Sequence, residues 1–337
     1  MVSNSISFLG QSLSQINRLN DLRATMADLQ RQMTTQKKYE DFSGLGIDSF
    51  SVQSLRADAT ETQTYLDNVK SVTLRIQLMS KSIMRAADIG RQLVDSIQNR
   101  EGGLDIGVIK QLASEGLEFM RDLLNIKVDD RYLFSGSATT TEPFSDLNTL
   151  NTNFQNETTD WLAGTNTTAQ FIANAEGFTS TQLGLDPNLS TAGNVNMRVS
   201  EFLDIDYTVL ADSGGFQDVI RALAYASNMV APDPAFDIPD EQEMNDVLNQ
   251  IVAIAQRGVE ALDSSNVTLG SRFNLIKSLE EGHEQDLNLF KSLTEDREGV
   301  DTTEVISSIQ FLQTQLTSSY QVTGLISQMS LVNYLKF

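Results

Sequence analysis

The chain contains no cysteine and one histidine, His283, in 337 residues. Without thiols there are no disulfides, no thiolate nucleophiles and no zinc–thiolate sites. That suits the cytosol, and equally a protein that must stay unfolded during export. Five prolines and 7% aromatic residues favour long helices over compact β modules. Basic residues are scarce, 24 Lys and Arg against 45 Asp and Glu, for a formal charge of -21. Nucleic acid and anionic membranes both require clustered Lys and Arg, so neither is an expected partner. No stretch approaches the ~20 apolar residues of a membrane-spanning helix. Residues 1–30 lack a basic n-region, a continuous apolar run and a cleavage site, so any exit from the cell is expected to use no cleaved signal.

The same scarcity limits chemistry. With one histidine and no cysteine there are few nucleophile–base pairs, so no enzyme is expected and no catalytic, cofactor or metal residue is assigned. His283 falls on a helical seam between Gly282 and Glu284, where a packed imidazole fits better than a catalytic one. Asp204 and Asp206 share one side of a strand-like run and could offer oxygens to a hard cation, but a solvated strand face fits as well. Gly44-Leu45-Gly46 lacks the later glycine and the preceding strand of a phosphate loop. Three Asn-X-Thr triplets begin at Asn156, Asn166 and Asn266, as expected by chance in Asn/Thr-rich sequence.

What the chain has is helical periodicity. The length exceeds one typical domain, and 40% hydrophobic residues can fill two or three packed units. Leu9, Leu13, Ile16, Leu19, Leu22, Met26, Leu29 and Met33 recur at steps of three and four, one face of a helix that breaks at Phe42-Ser43-Gly44-Leu45-Gly46. From Val52 a heptad runs through Ala59, Leu66, Thr73, Ser80, Ala87 and Val94. Its second seam is Leu55, Thr62, Val69, Ile76, Ile83, Gly90 and Ile97. A turn at Asn99–Gly103 and a second helix over Asp105–Asp130 complete a predicted hairpin.

Residues 138–215 turn rich in Thr, Asn, Ser and Gly, and read as a strand-containing insertion. A short helix, Gly215–Met229, precedes Pro232, Pro234 and Pro239. Heptads resume at Met244, with Leu248, Ala255, Leu262, Leu269, Ile276, His283 and Phe290 on one seam. This predicts a helix of more than forty residues packed on the earlier hairpin. Asp301-Thr302-Thr303-Glu304 then caps a last helix.

The two ends are unusual. Val305–Leu335 contains no charged residue, and neither do residues 2–17. The tail is nonetheless amphipathic, with Ile309, Leu312, Leu316, Tyr320, Thr323, Ile326 and Met329 in one stripe opposite Gln and Ser. A surface helix normally carries charge on its polar face. A neutral amide and hydroxyl face suits a helix surrounded by other protein. The expected assembly interface is therefore Leu9, Leu13, Ile16, Met26, Ile309, Leu312, Leu316, Tyr320, Ile326, Met329 and Tyr334, ordered only on assembly.

Helical ends around a distinct centre resemble the flagellin superfamily. Leu269-Gly270-Ser271-Arg272-Phe273-Asn274-Leu275-Ile276 is similar to its G-x-R-x-N segment. Asp130-Arg131-Tyr132-Leu133-Phe134-Ser135-Gly136 with Glu142-Pro143-Phe144, and the ending Ser319–Leu335, resemble the hook-associated protein 3 family of the hook–filament junction. The likeness covers roughly residues 1–145 and 240–337. The family's acidic stretch after the first helix is replaced here by Tyr39–Gly46, and the Leu-Leu ending of flagellins is absent.

The resemblance implies a mainly α fold. Both chain ends form a long helical hairpin or coiled-coil bundle, with a β-rich central insertion. Its domains would be 1–43 plus 305–337 for assembly, 44–137 plus 240–304 as bundle, and 138–239 as insertion. It also implies an extracellular structural subunit exported by the flagellar type III route. The implied partners are further copies of itself, flagellin, the first hook-associated protein and an export chaperone, with no cofactor. A minor flagellin and a surface-exposed binding module are the alternatives.

Overall fold

The computed structural model describes residues 2–99, 105–230 and 240–334; the side chains of 2–9, 11, 12 and 326–334 fall outside that description. The fold is mainly α. Its helices are α1 (Val2–Thr35), α2 (Asp48–Gln98), α3 (Ile106–Leu124), α4 (Leu147–Leu162), α5 (Thr168–Glu176), α6 (Gly214–Asn228), α7 (Glu241–Glu298) and α8 (Thr302–Tyr334). Two antiparallel hairpins, β1 (Lys127–Val128) with β2 (Arg131–Tyr132) and β3 (Asn196–Ser200) with β4 (Leu203–Asp206), are the only sheets among the described residues. The predicted turn at Asn99–Gly103 lies largely, and the three prolines wholly, outside the described residues.

Contacts divide the chain into two units, Met1–Gln63 with Gln285–Phe337, and Thr64–Glu284. In the second unit the heptads are the buried seams. Leu66, Val69, Ile76, Ile83, Ala87 and Ile97 on α2 are buried, as are Leu248, Ile251, Ala255, Leu262, Leu269 and Ile276 on α7. Lys70 meets Glu284 at 3.8 Å, Ser80 meets Asn266 at 2.6 Å and Arg91 meets Asp263 at 2.7 Å. Rising numbers on α2 thus meet falling numbers on α7, an antiparallel pair. The buried face of α2 also takes in Val72, Met79, Ala86 and Leu93. Three positions per heptad is the width of a globular core face, wider than a two-helix seam.

That width is filled by α3 and α6. On α6, Phe216, Val219, Ile220, Ala222, Leu223 and Ala224 are all buried. A Cβ on Gly258 would lie 2.9 Å from the Val219 amide nitrogen, so a glycine on α7 is what lets α6 come so close. Aromatic rings close the far side of the core. Trp161 stacks on Phe171 with centroids 4.8 Å apart, and Tyr225 meets Phe154 and Phe171 edge-on. Asp218, buried beside α7, accepts from Arg221 at 2.5 Å and Arg257 at 2.6 Å, so the buried carboxylate is fully paired.

The expectation of a β-rich insertion is corrected here. Within 138–230 lie α4, α5, α6 and one two-stranded hairpin. The polar residues of the stretch include the caps of its helices. Asp146 accepts from the Thr149 amide, and Thr167 with Gln170 makes a capping box on α5. Between the caps, Leu150, Phe154 and Trp161 share a buried helical face. The predicted Asp105–Asp130 helix ends at Leu124, because Asn125 turns its side chain to the backbone of Phe144. Asp129 and Asp130 then sit at φ 52° and 59°, a left-handed two-residue hairpin turn.

Candidate assembly interface

In the unit formed by the chain ends, α1 packs along α8, and Arg23 donates to the Tyr320 hydroxyl at 2.9 Å with its guanidinium over that ring. The α8 residues facing α1 follow the predicted stripe. Leu312 is buried, and Ile309, Leu316 and Thr323 are half-buried. On α1 the half-buried apolar residues are Leu19, Leu22, Met26 and Leu29. Leu13 and Ile16 stay about half exposed, as does Tyr320 despite its contact with Arg23. The side chains of Leu9, Ile326, Met329 and Tyr334 lie outside the described residues.

A second apolar stripe on α8 was not expected. Phe311 is 69% exposed, Val322 49% and Leu325 59%. Spacings of eleven and three put these three on one side of a helix, away from the side that meets α1. Its signal was present in the numbering, but the tail's stronger stripe hid it. The helix thus shows apolar residues on two sides with no charge between them from Val305 onward. Two helices alone can cover only one side of each, so the outer stripe of α8 and the Leu13–Ile16 side of α1 meet solvent.

Both helical breaks in this unit are bonded to each other. Lys37 and Gly299 form an antiparallel bridge, the Lys38 amide donates to the Glu298 carbonyl at 2.7 Å, and the Val300 amide donates to the Gln36 carbonyl at 3.3 Å. The Glu298 carboxylate, 7% exposed, receives Arg56 Nη2 on both oxygens at 2.6 and 2.5 Å, with Lys37 at 3.6 Å. Asp301 accepts from the Thr303 and Glu304 amides, and these bonds hold its carboxyl below the ordinary value. It is the cap predicted for α8. Ile47 and Phe50, where α2 begins, are almost fully exposed.

Two of the three segments behind the resemblance, Asp130–Phe144 and Leu269–Ile276, lie in the other unit and contribute to its core. Leu133, Phe134 and Phe144 are buried, Ala211 donates to the Phe134 carbonyl, and Gly136 takes φ 57° with Leu210 and Gly193 against it. Leu269 and Ile276 are buried, while Arg272 lines a surface recess with Asp212 and Ser213. His283 points Nε2 at the Val199 carbonyl, 2.7 Å away, and stacks on Tyr65. Its role is to hold the β3–β4 hairpin, helped by Asn68, which donates to the Arg198 carbonyl. Asp204 faces Arg198 at 3.9 Å and Asp206 accepts from Asn194 and the Thr208 amide, so both serve the hairpin. Among the described residues no three His, Asp or Glu side chains are grouped to hold a metal.

No family model matches the chain, and a search of curated proteins finds no match. Among solved structures, one assigned as a flagellar hook-associated protein from Vibrio parahaemolyticus is similar with a TM-score of 0.48 at 12% identity. The likeness covers 76% of this chain and 98% of that one. FlgL from Bacillus cereus is similar with a TM-score of 0.42 at 15% identity, over 72% of this chain and 98% of that one.

Proposed function

We propose that this chain is a structural subunit of a bacterial flagellum, an adaptor between the hook-associated ring and the flagellin filament. On this reading it acts outside the cell, is exported by the flagellar type III system and orders its terminal helices on assembly. Its partners are further copies of itself, flagellin, the first hook-associated protein and an export chaperone, and it performs no catalysis. The observation that carries the assembly reading is the uncharged α8 with apolar residues on two sides, of which α1 covers one. Burying a side chain such as Phe311, Val322 or Leu325 contributes ~1.5–3 kcal/mol each, and another copy of the chain would supply the cover. The flagellar part of the reading is supported by the residues of Arg131–Gly136, Leu269–Ile276 and the tail.

Deleting the gene tests it. Hooks without filaments, with flagellin lost to the medium, are the expected outcome, and normal filaments would sink the proposal. Long filaments grown from the purified protein alone would favour a minor flagellin.

A further inference from the structure

The two places where helices break in the chain-end unit, residues 36–41 and 299–301, lie side by side although about 260 positions separate them in sequence. Three features tie them. The backbone pairing of Gln36, Lys37 and Lys38 with Glu298, Gly299 and Val300 joins one linker to the other. Glu298 joins α7 to Arg56 on α2 and to Lys37 on the α1 linker. Arg31, at the end of α1, donates to the Lys38 carbonyl at 3.2 Å, and Lys38 Nζ reaches the Arg297 carbonyl.

The local backbone is specialised for this join. Gln36 takes φ 56°, a left-handed conformation rare outside glycine. A Cβ on Gly299 would fall 2.4 Å from the Glu295 carbonyl oxygen, so no other residue fits there without a shift. All the bonds of the join run to α2, to α7 or between the two linkers, except the Arg31 contact at the end of α1. The join therefore does not depend on α1 and α8 being paired. Bringing two distant chain segments together is the entropic obstacle to pairing them, and a join at their base removes it.

We infer that this Glu298-centred join is a clamp that sets the register of the two chain ends and is the point from which α1 and α8 pair outward. The inference goes beyond the flagellar reading and does not need it. It requires order to decay with distance from residues 37 and 299. Two ends that find each other independently would show no such gradient.

The absence of cysteine makes the test clean, because introduced pairs label alone. Three donor–acceptor pairs are placed in the full-length chain: Gln30→Cys with Ser307→Cys beside the clamp, Asn17→Cys with Gln321→Cys further out, and Lys81→Cys with Ser264→Cys on α2 and α7. The expected result is that the inner pair keeps energy transfer to a midpoint at least 5–10 °C above the outer pair. Glu298→Gln and, separately, Gly299→Ala should lower both end midpoints and leave the α2–α7 pair where it was. Equal midpoints for inner and outer pairs, or end pairs indifferent to both substitutions, would overturn the clamp. So would a fall of the α2–α7 pair by the same amount, which assigns Glu298 a general stabilising role. Filament growth on cells is a separate readout, so a failed clamp leaves the adaptor reading to its own test.

Discussion

Helix α6 and helix α8 make opposite use of apolar residues. Of the fifteen residues of α6, eleven are buried, among them a charged pair. Of the described side chains of α8, only Val305 and Leu312 are buried. Yet α8 has the higher mean hydropathy of the two. In α6 the apolar residues are consumed inside one chain; in α8 most are left for something else. The unit around α6 buries most of its own apolar residues, whereas the chain-end unit leaves many of its exposed, and that contrast underlies the proposal that α8 assembles with other copies.

Four experiments break or sharpen the contrast. Trp161→Ala removes the ring stacked on Phe171 in the Thr64–Glu284 unit, and should cost that unit ~3–5 kcal/mol. The main calorimetric transition should drop by roughly 10 °C. If energy transfer between α1 and α8 falls in step, the two regions are not independent and the contrast fails. Leu312→Asn is the counterpart at the ends. A buried leucine replaced by an amide should cost the α1–α8 pair ~2–3 kcal/mol, with the main transition unmoved.

The response to pH should also differ between the regions. Burial first, then the nearby Glu176, raises the Tyr225 hydroxyl above its ordinary 10. A raised value means the stabilisation is complete below pH 10 and is lost as pH climbs beyond it, seen as alkaline loss of near-ultraviolet dichroism. Asp301 is shifted the other way by the amides it caps. Its contribution is complete above the ordinary 3.8 and fades as pH falls below it, so acid should loosen the start of α8. Asp301→Asn should abolish that acid step alone. The smallest effect on the isolated chain is expected from Phe311→Glu combined with Leu325→Glu. Both residues are exposed, so stability should change by under ~0.5 kcal/mol while assembly is lost. A large drop in melting temperature would show that these side chains already have cover within the chain.

The long elements were legible because one period persists over many turns. The heptads of α2 and α7, the Asp301 cap and the inner stripe of α8 all follow from spacing. The helices α4 and α5 were not, since sixteen and nine residues give few turns to count and their Asp146 and Thr167 caps imitate loop composition. The Asp129–Asp130 turn falls inside the predicted Asp105–Asp130 helix, whose apolar spacing continues through Ile126 although the helix ends at Leu124. The outer stripe of α8 has only three members, too few to stand out beside a stronger one. The join at Lys37 and Gly299 is beyond any local pattern, as its partners meet only when the whole chain is folded.

The uncharged stretches of α1 and α8 would have a kinetic consequence in the proposed assembly. Each copy carries a formal charge of -21, so copies approaching one another repel at a distance, while residues 2–17 and 305–335, the stretches proposed to assemble, carry none. Added salt shortens the reach of that repulsion to about 8–10 Å near physiological strength, and leaves apolar contact nearly untouched. The speed at which subunits join should therefore climb with ionic strength while the lifetime of the joined state hardly changes. A contact built from ion pairs would behave in the reverse manner.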